Sequence, residues 1–168
     1  MSSKEWSELR ETFAACAPRA VAATTAAVMA INPEIDLGGA DRFFGLTEEP
    51  TDVTYEEVTA AGLPAIWANP VGCDTERALV YFHGGGFVSG SKDSYRKVAA
   101  HLAKAAGVRT LIPDYRLAPM NPFPAQLEDA RSLYDWLLAR GHQPSKIAFA
   151  GDSAGGNIAT GAALVEFD

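Results

Sequence analysis

The stretch KIAFAGDSAGGNIAT, residues 146–160, decides how the rest of the chain is interpreted. Its apolar first part predicts a strand covered on both faces, and the small residues of its second part predict a helix. Between them, Gly151 and Gly155 flank Ser153 and allow a tight turn in which helix and strand approach closely. The pattern predicts an exposed serine hydroxyl at the positive end of a new helix, where it could act as a nucleophile. A glycine-lined turn with a capping serine is the structural alternative.

Strands and helices alternate in the residues that lead to this turn. Two polar-flanked runs, 53–60 and 63–70, predict an antiparallel pair with Gly62 at its turn. Buried strands are predicted at 78–82 and 108–115, and helices at 93–106 and 124–140, ended by Gly107 and Gly141. The helix residues expected to face inward are Tyr95, Val98, Leu102 and Ala105 in the first, and Leu127, Ala130, Leu133 and Leu137 in the second. This order predicts an α/β fold, with a mostly parallel sheet and helices on both faces.

The N-terminal third follows a different pattern. Residues 4–30 predict helices interrupted by Pro18, and the Gly-, Pro- and Asp-rich residues 31–52 predict a connecting loop. We expect 1–45 to form a helical segment and 46–168 to belong to the main body. The helical segment is either a cap over a binding pocket or a plain packing helix.

Composition narrows the classes of function. The net charge of −7 and the pI near 4.9 argue against nucleic-acid binding. Cys16 and Cys73 are far apart, and the N-terminus mixes three acids with two bases rather than forming a positive leader, so we expect a cytoplasmic protein. The longest apolar run is too short to span a membrane. We find no motif for a cofactor or a metal and expect neither.

A second motif, YFHGGGFVSG at 81–90, follows the strand 78–82 directly. Three consecutive glycines expose backbone N–H groups, which a tetrahedral oxyanion needs as fixed donors. A flexible turn or a phosphate-binding loop is the alternative, but neither usual phosphate-binding glycine pattern is present. The expected partner donor is the N–H of Ala154, which follows the serine.

Together these motifs resemble the hormone-sensitive-lipase-like esterases of the α/β-hydrolase superfamily. The matching pieces are HGGGF at 83–87, DYRLAP at 114–119, FPA at 123–125 and GDSAGGN at 151–157. The resemblance implies a serine carboxylesterase acting on a small ester, with Ser153 as nucleophile and Gly84, Gly85 and Ala154 as oxyanion donors. It also implies an N-terminal helical cap. Where such esterases carry an acidic residue after RLAP, this chain has Met120, so Asp114 and Arg116 become the candidates for bracing the glycine loop.

The catalytic base is not evident. In this fold the acid and the histidine follow the serine, yet the 168 − 153 = 15 residues after Ser153 contain no histidine. We expect His83 to hold the glycine loop, His101 to lie on a helix, and His142 to lie at the opposite edge of the sheet. The chain therefore looks like the front portion of a longer enzyme and is expected to be nearly inactive alone. Its last strand would lack an outer neighbour, which invites self-association or pairing with a complementary C-terminal segment.

Two other functions are compatible with the sequence. The scaffold could grip a small acyl-like ligand without cleaving it, or it could be a peptidase or amidase of the same fold. Labelling of Ser153 by a fluorophosphonate separates the first from an esterase, and parallel ester and amide substrates separate the second.

Overall fold

The computed structural model describes residues 48–165, so the predicted N-terminal helices and Cys16 lie outside the described residues. The boundary near residue 45 stays a prediction for the same reason. The strands are β1 (Val53–Ala60), β2 (Leu63–Pro70), β3 (Asp74–Phe82), β4 (Val108–Pro113) and β5 (Ile147–Gly151). The helices are α1 (Lys92–Ala106), α2 (Ala125–Ala139) and α3 (Ala154–Val165), with a short 3₁₀ turn at Pro144–Lys146.

The five strands form one sheet in the order β1-β2-β4-β3-β5. The predicted antiparallel hairpin of β1 and β2 is confirmed, and its turn uses Ala61 and Gly62 at φ 51 and 85. β4 and β5 each run parallel to β3, whereas β2 and β4 are antiparallel. The strand–helix order therefore produces the expected α/β sheet, in which the carboxyl ends of β3, β4 and β5 share one edge.

Local signals explain where the helices begin and end. Ser91 caps α1, because its Oγ accepts from the Ser94 N–H at 3.1 Å while the Ser94 Oγ accepts from the Ser91 N–H at 3.0 Å. Gly107 ends the same helix in the left-handed region at φ 65. Pro124 precedes α2, and Gly141 follows it at φ 90.

The two sheet faces bury two separate apolar clusters. One cluster joins β2 and β4 to α1 through Tyr95 and three alanines. The other lies beneath α2 and α3 and includes Leu133, Leu137 and Ile158. Helices thus cover both faces, as predicted.

Two details of the predicted burial are wrong. In α1 the buried stripe runs through Tyr95, Ala99 and Ala103, whereas Leu102 is 37% exposed and Ala105 is exposed. Small residues face the sheet because they let the helix lie close to it. The strand at 147–151 is only half-buried, because among residues 48–165 β5 pairs with β3 alone. No helix in this part of the chain is long and apolar enough to cross a membrane.

Candidate active site

Ser153 lies on the turn between β5 and α3, as the sequence predicted. β5 ends at Gly151, α3 begins at Ala154, and the serine is exposed. Its φ of 50 places a residue with a side chain in the left-handed region, which costs energy unless the surroundings impose it. The turn is fixed by two backbone bonds, from the Gly155 N–H to the Asp152 carbonyl at 2.8 Å and from the Asn157 N–H to the Ser153 carbonyl at 3.1 Å.

Close backbone packing holds this turn against β3. A Cβ at Gly155 would overlap the Phe82 carbonyl group and lie 2.7 Å from the His83 carbonyl oxygen. Those neighbours are backbone atoms of the adjacent strand and cannot rotate away. The helix that carries Ala154 therefore starts in contact with the end of β3, where the glycine loop begins.

The glycine loop, residues 84–90, is held by hydrogen bonds that converge on the carbonyl of Gly85. The N–H groups of Val88 and Ser89 both donate to the Gly85 carbonyl at 3.1 Å, and the Ser89 Oγ donates to it at 3.0 Å. Gly85 and Gly86 have φ values of 118 and 63, a conformation that favours residues without side chains. Within residues 48–165, the N–H groups of Gly85 and Gly86 have no acceptor.

The Gly84 N–H, predicted to be an oxyanion donor, has an acceptor inside the protein. It donates to the Asp152 Oδ1 at 2.9 Å and is therefore already occupied. Among residues 48–165 the Gly85 and Gly86 amides have no acceptor, and Ala154, predicted to be the partner donor, is the first residue of α3.

His83 anchors the start of the loop from inside the protein. It is 1% exposed, its Nδ1 shares a hydrogen bond with the Gly84 carbonyl at 2.7 Å, and its ring stacks on Tyr115 with centroids 4.3 Å apart. The Tyr115 hydroxyl donates to the His83 carbonyl at 2.7 Å. Burial, with the nearby Asp152 charge, raises the pKa of Tyr115, so this hydroxyl stays protonated. The predicted loop-holding role of His83 is confirmed.

The two residues proposed to compensate for Met120 behave differently. Asp114 accepts a hydrogen bond from the Lys92 N–H at 2.6 Å, which fixes the helix that follows the glycine loop. Burial raises the pKa of Asp114, and the bond from Lys92 partly offsets that effect. Arg116 instead binds Asp129 at 2.8 Å and so holds α2, not the glycine loop. Met120 itself is 86% exposed.

No histidine of the chain hydrogen-bonds to Ser153. All three lie within the described residues, and His83 is occupied as described above. His101 is exposed and its Nε2 contacts the Glu48 carbonyl at 3.0 Å, whereas the His142 Nδ1 contacts the Glu76 carbonyl at 2.9 Å. Glu76 lies in the first half of β3, at the edge of the sheet away from the serine. These positions agree with the predictions for His101 and His142.

The sequence reasoning missed Asp152 and the tyrosine that supports it. Asp152 directly precedes the serine, and its carboxylate is the signal in the sequence that could have found it. Its Oδ1 accepts from the Tyr81 hydroxyl at 2.9 Å as well as from Gly84. Within residues 48–165, no group of three or more His, Cys, Asp or Glu side chains is arranged to hold a metal ion.

Comparisons with known proteins point in one direction. A family model described as an alpha/beta hydrolase fold matches residues 79–167. The chain is 40% identical over 122 residues to an acetyl-hydrolase of Streptomyces hygroscopicus, covering 73% of this chain and 39% of that protein. It is also 40% identical over 114 residues to the carboxylesterase NlhH of Mycobacterium tuberculosis, covering 66% of this chain and 35% of that protein.

Solved structures agree with the sequence comparisons. The crystal structure of an esterase from the bacterial hormone-sensitive lipase family superposes with a TM-score of 0.71 at 43% identity. The match covers 76% of this chain and 43% of that one. The chain thus spans less than half the length of these relatives.

Proposed function

Because the chain belongs to the α/β-hydrolase family, we propose that it carries the nucleophile and the oxyanion-binding loop of a serine carboxylesterase. The substrates would be short- to medium-chain carboxylic esters. The observation that carries the proposal is the exposed Ser153 at φ 50, between β5 and α3 and beside a glycine loop whose Gly85 and Gly86 amides have no acceptor within residues 48–165. A serine that only capped the helix would require neither the strained backbone nor the neighbouring loop.

The residues present supply the first half of an acyl-transfer reaction. The Ser153 Oγ attacks the ester carbonyl carbon, forming a C–O bond and moving the carbonyl electron pair onto the oxygen. The amides of Gly85, Gly86 and Ala154 would donate to that oxyanion, and each such donor is worth about 10²–10³ in kcat. Collapse of the intermediate expels the alcohol and leaves an acyl-serine, which water then hydrolyses to the carboxylic acid.

The serine still needs a base, and the three histidines present do not provide one. In this fold the acid and the histidine of the triad follow the nucleophile in the chain. We therefore place both in the part of the relatives' length that this chain does not span. Without them, donors and binding alone leave a residual rate about 10³–10⁴-fold over water. We likewise propose that residues 1–45 contribute a cap over the acyl pocket.

Covalent labelling of the full-length protein tests the proposal. A fluorophosphonate probe should label the protein at neutral pH, and Ser153→Ala should abolish the label. The same protein should hydrolyse p-nitrophenyl acetate and butyrate faster than matched anilides. An unlabelled, folded protein would favour the non-catalytic binding module, and faster anilide cleavage would favour an amidase.

A further inference from the structure

Asp152 connects three separate parts of the site. It lies between Gly151 and Ser153, half-buried, and its Oδ1 accepts from the Tyr81 hydroxyl on β3 and from the Gly84 N–H, both at 2.9 Å. Its Oδ2 accepts from the Tyr95 hydroxyl on α1 at 3.4 Å. One carboxylate therefore joins the nucleophile turn to the strand, the loop and the helix that follow one another from residue 74 to 106.

We propose that Asp152 is a positioning residue, which sets the glycine-loop amides relative to Ser153 and Ala154. The inference rests on the proposed esterase function. Ser153 alone separates Asp152 from Ala154, and Gly85 and Gly86 directly follow the Gly84 amide that Asp152 binds. Besides the β3–β5 ladder, this hydrogen bond joins the glycine loop directly to the turn that carries Ser153 and Ala154.

The packing around Gly84 shows that the carboxylate and the loop fit each other closely. A Cβ at Gly84 would overlap the Asp152 Oδ2, lie 3.0 Å from the Asp152 Cγ, and lie 3.0 Å from the Tyr95 hydroxyl. A real Cβ essentially never lies under 3.0 Å from another heavy atom. Glycine is thus required at 84 because the aspartate occupies the space that a side chain would take.

Hydrogen-bond donors also stabilise the negative charge of Asp152. A negative charge near an oxyanion site opposes the charge that develops in the reaction, so it must be bound by other donors. The hydroxyls of Tyr81 and Tyr95 and the Gly84 amide supply three of them. Burial and the Asp152 charge raise the pKa of Tyr81, so its hydroxyl remains a donor at neutral pH. The residue therefore acts through the loop and not on the substrate.

Substitution of Asp152 in the full-length protein provides the test. With p-nitrophenyl butyrate, Asp152→Ala should lower kcat about 100-fold and change KM less than about threefold, as loss of oxyanion donors does. Asp152→Asn should recover most of kcat, because its amide oxygen can still accept from Gly84 and Tyr81 while its NH₂ donates to Tyr95. Asp135→Ala, which removes an exposed carboxylate of α2, is the matched control and should leave kcat unchanged.

Counting active sites separates positioning from simple misfolding. Fluorophosphonate titration should show the same fraction of reactive Ser153 in Asp152→Ala as in the wild type, but at a rate reduced in step with kcat. A loss of active sites that accounts for the whole fall in activity would overturn the proposal. So would an Asp152→Ala enzyme with wild-type kcat. If the wild type neither reacts nor hydrolyses esters, the proposed function itself has failed.

A double-mutant cycle adds an independent criterion. Gly84→Ala should lower kcat severely in the wild-type background, because its methyl meets the carboxylate. In the Asp152→Ala background the same change should cost no more than about threefold, since the obstructing oxygen is gone. Losses that simply multiply would contradict the proposed contact.

Discussion

A single methyl group at Gly155 should damage catalysis more than it damages the fold. The Cβ of Gly155→Ala would lie 2.5 Å from the Phe82 carbonyl carbon, whereas ordinary contact begins at 3.4 Å. The start of α3 must therefore move at least roughly 3.4 − 2.5 = 0.9 Å away from β3 to clear this carbon, and further to clear the Phe82 carbonyl oxygen, which the Cβ would overlap. Ala154 moves with it, and so does the amide proposed to bind the oxyanion.

A displacement of about 1 Å in a catalytic group costs about 10²-fold in rate. That factor corresponds to about 2.7 kcal/mol of transition-state stabilisation. Overpacking at such a site also destabilises the fold by about 1–3 kcal/mol. We therefore expect kcat/KM for p-nitrophenyl butyrate in the full-length protein to fall about 100-fold, while the variant still unfolds cooperatively.

Gly161→Ala in the same helix is the matched control. Its Cβ would meet the end of the Leu127 side chain at 2.8 Å, and a half-buried leucine terminus can rotate away from it. That variant should keep activity within about threefold, because α3 need not move. Equal activity in both variants, with Gly155→Ala fully folded, would refute the idea that contact with β3 positions the Ala154 amide.

Four further outcomes are expected. Ser153→Gly should be more stable to urea than Ser153→Ala by about 1 kcal/mol, because only the alanine keeps a Cβ at φ 50; equal midpoints would contradict the strain. Leu133→Ala, at a fully buried site, should lower the unfolding free energy by about 2–5 kcal/mol. Leu102→Ala, at a site that is 37% exposed, should lower it by less than about 1 kcal/mol. Burial raises the pKa of Asp114 in the folded state, so the native protein binds its proton more tightly and stability falls as pH rises through that pKa. Asp114→Asn should therefore unfold at a higher urea concentration than the wild type above about pH 4, and at the same concentration at pH 3. The 168-residue chain alone should sediment as associated species through the edge of β5, and a monomer that melts cooperatively would contradict this.

Strong local signals explain why much of the fold could be predicted from the sequence. Gly107 and Gly141 mark the ends of α1 and α2, and the observed helix bounds differ from the predicted ones by one residue at most. The packing face of α1 could not be predicted in the same way. Apolar periodicity predicts that the larger Leu102 faces the sheet. Ala99 and Ala103 face it instead, because the helix lies close to the sheet and leaves little room for a side chain.

The choice among three identical glycines shows where sequence reasoning reached its limit. Gly84, Gly85 and Gly86 offer equivalent amides in the sequence, and nothing local distinguishes them. The carboxylate of Asp152, 68 residues away, makes the distinction by taking the Gly84 N–H. The residue before the nucleophile therefore carries information about which amides remain for an oxyanion. A chain with a residue that cannot accept at this position must bind the first amide in another way, or leave the loop less constrained.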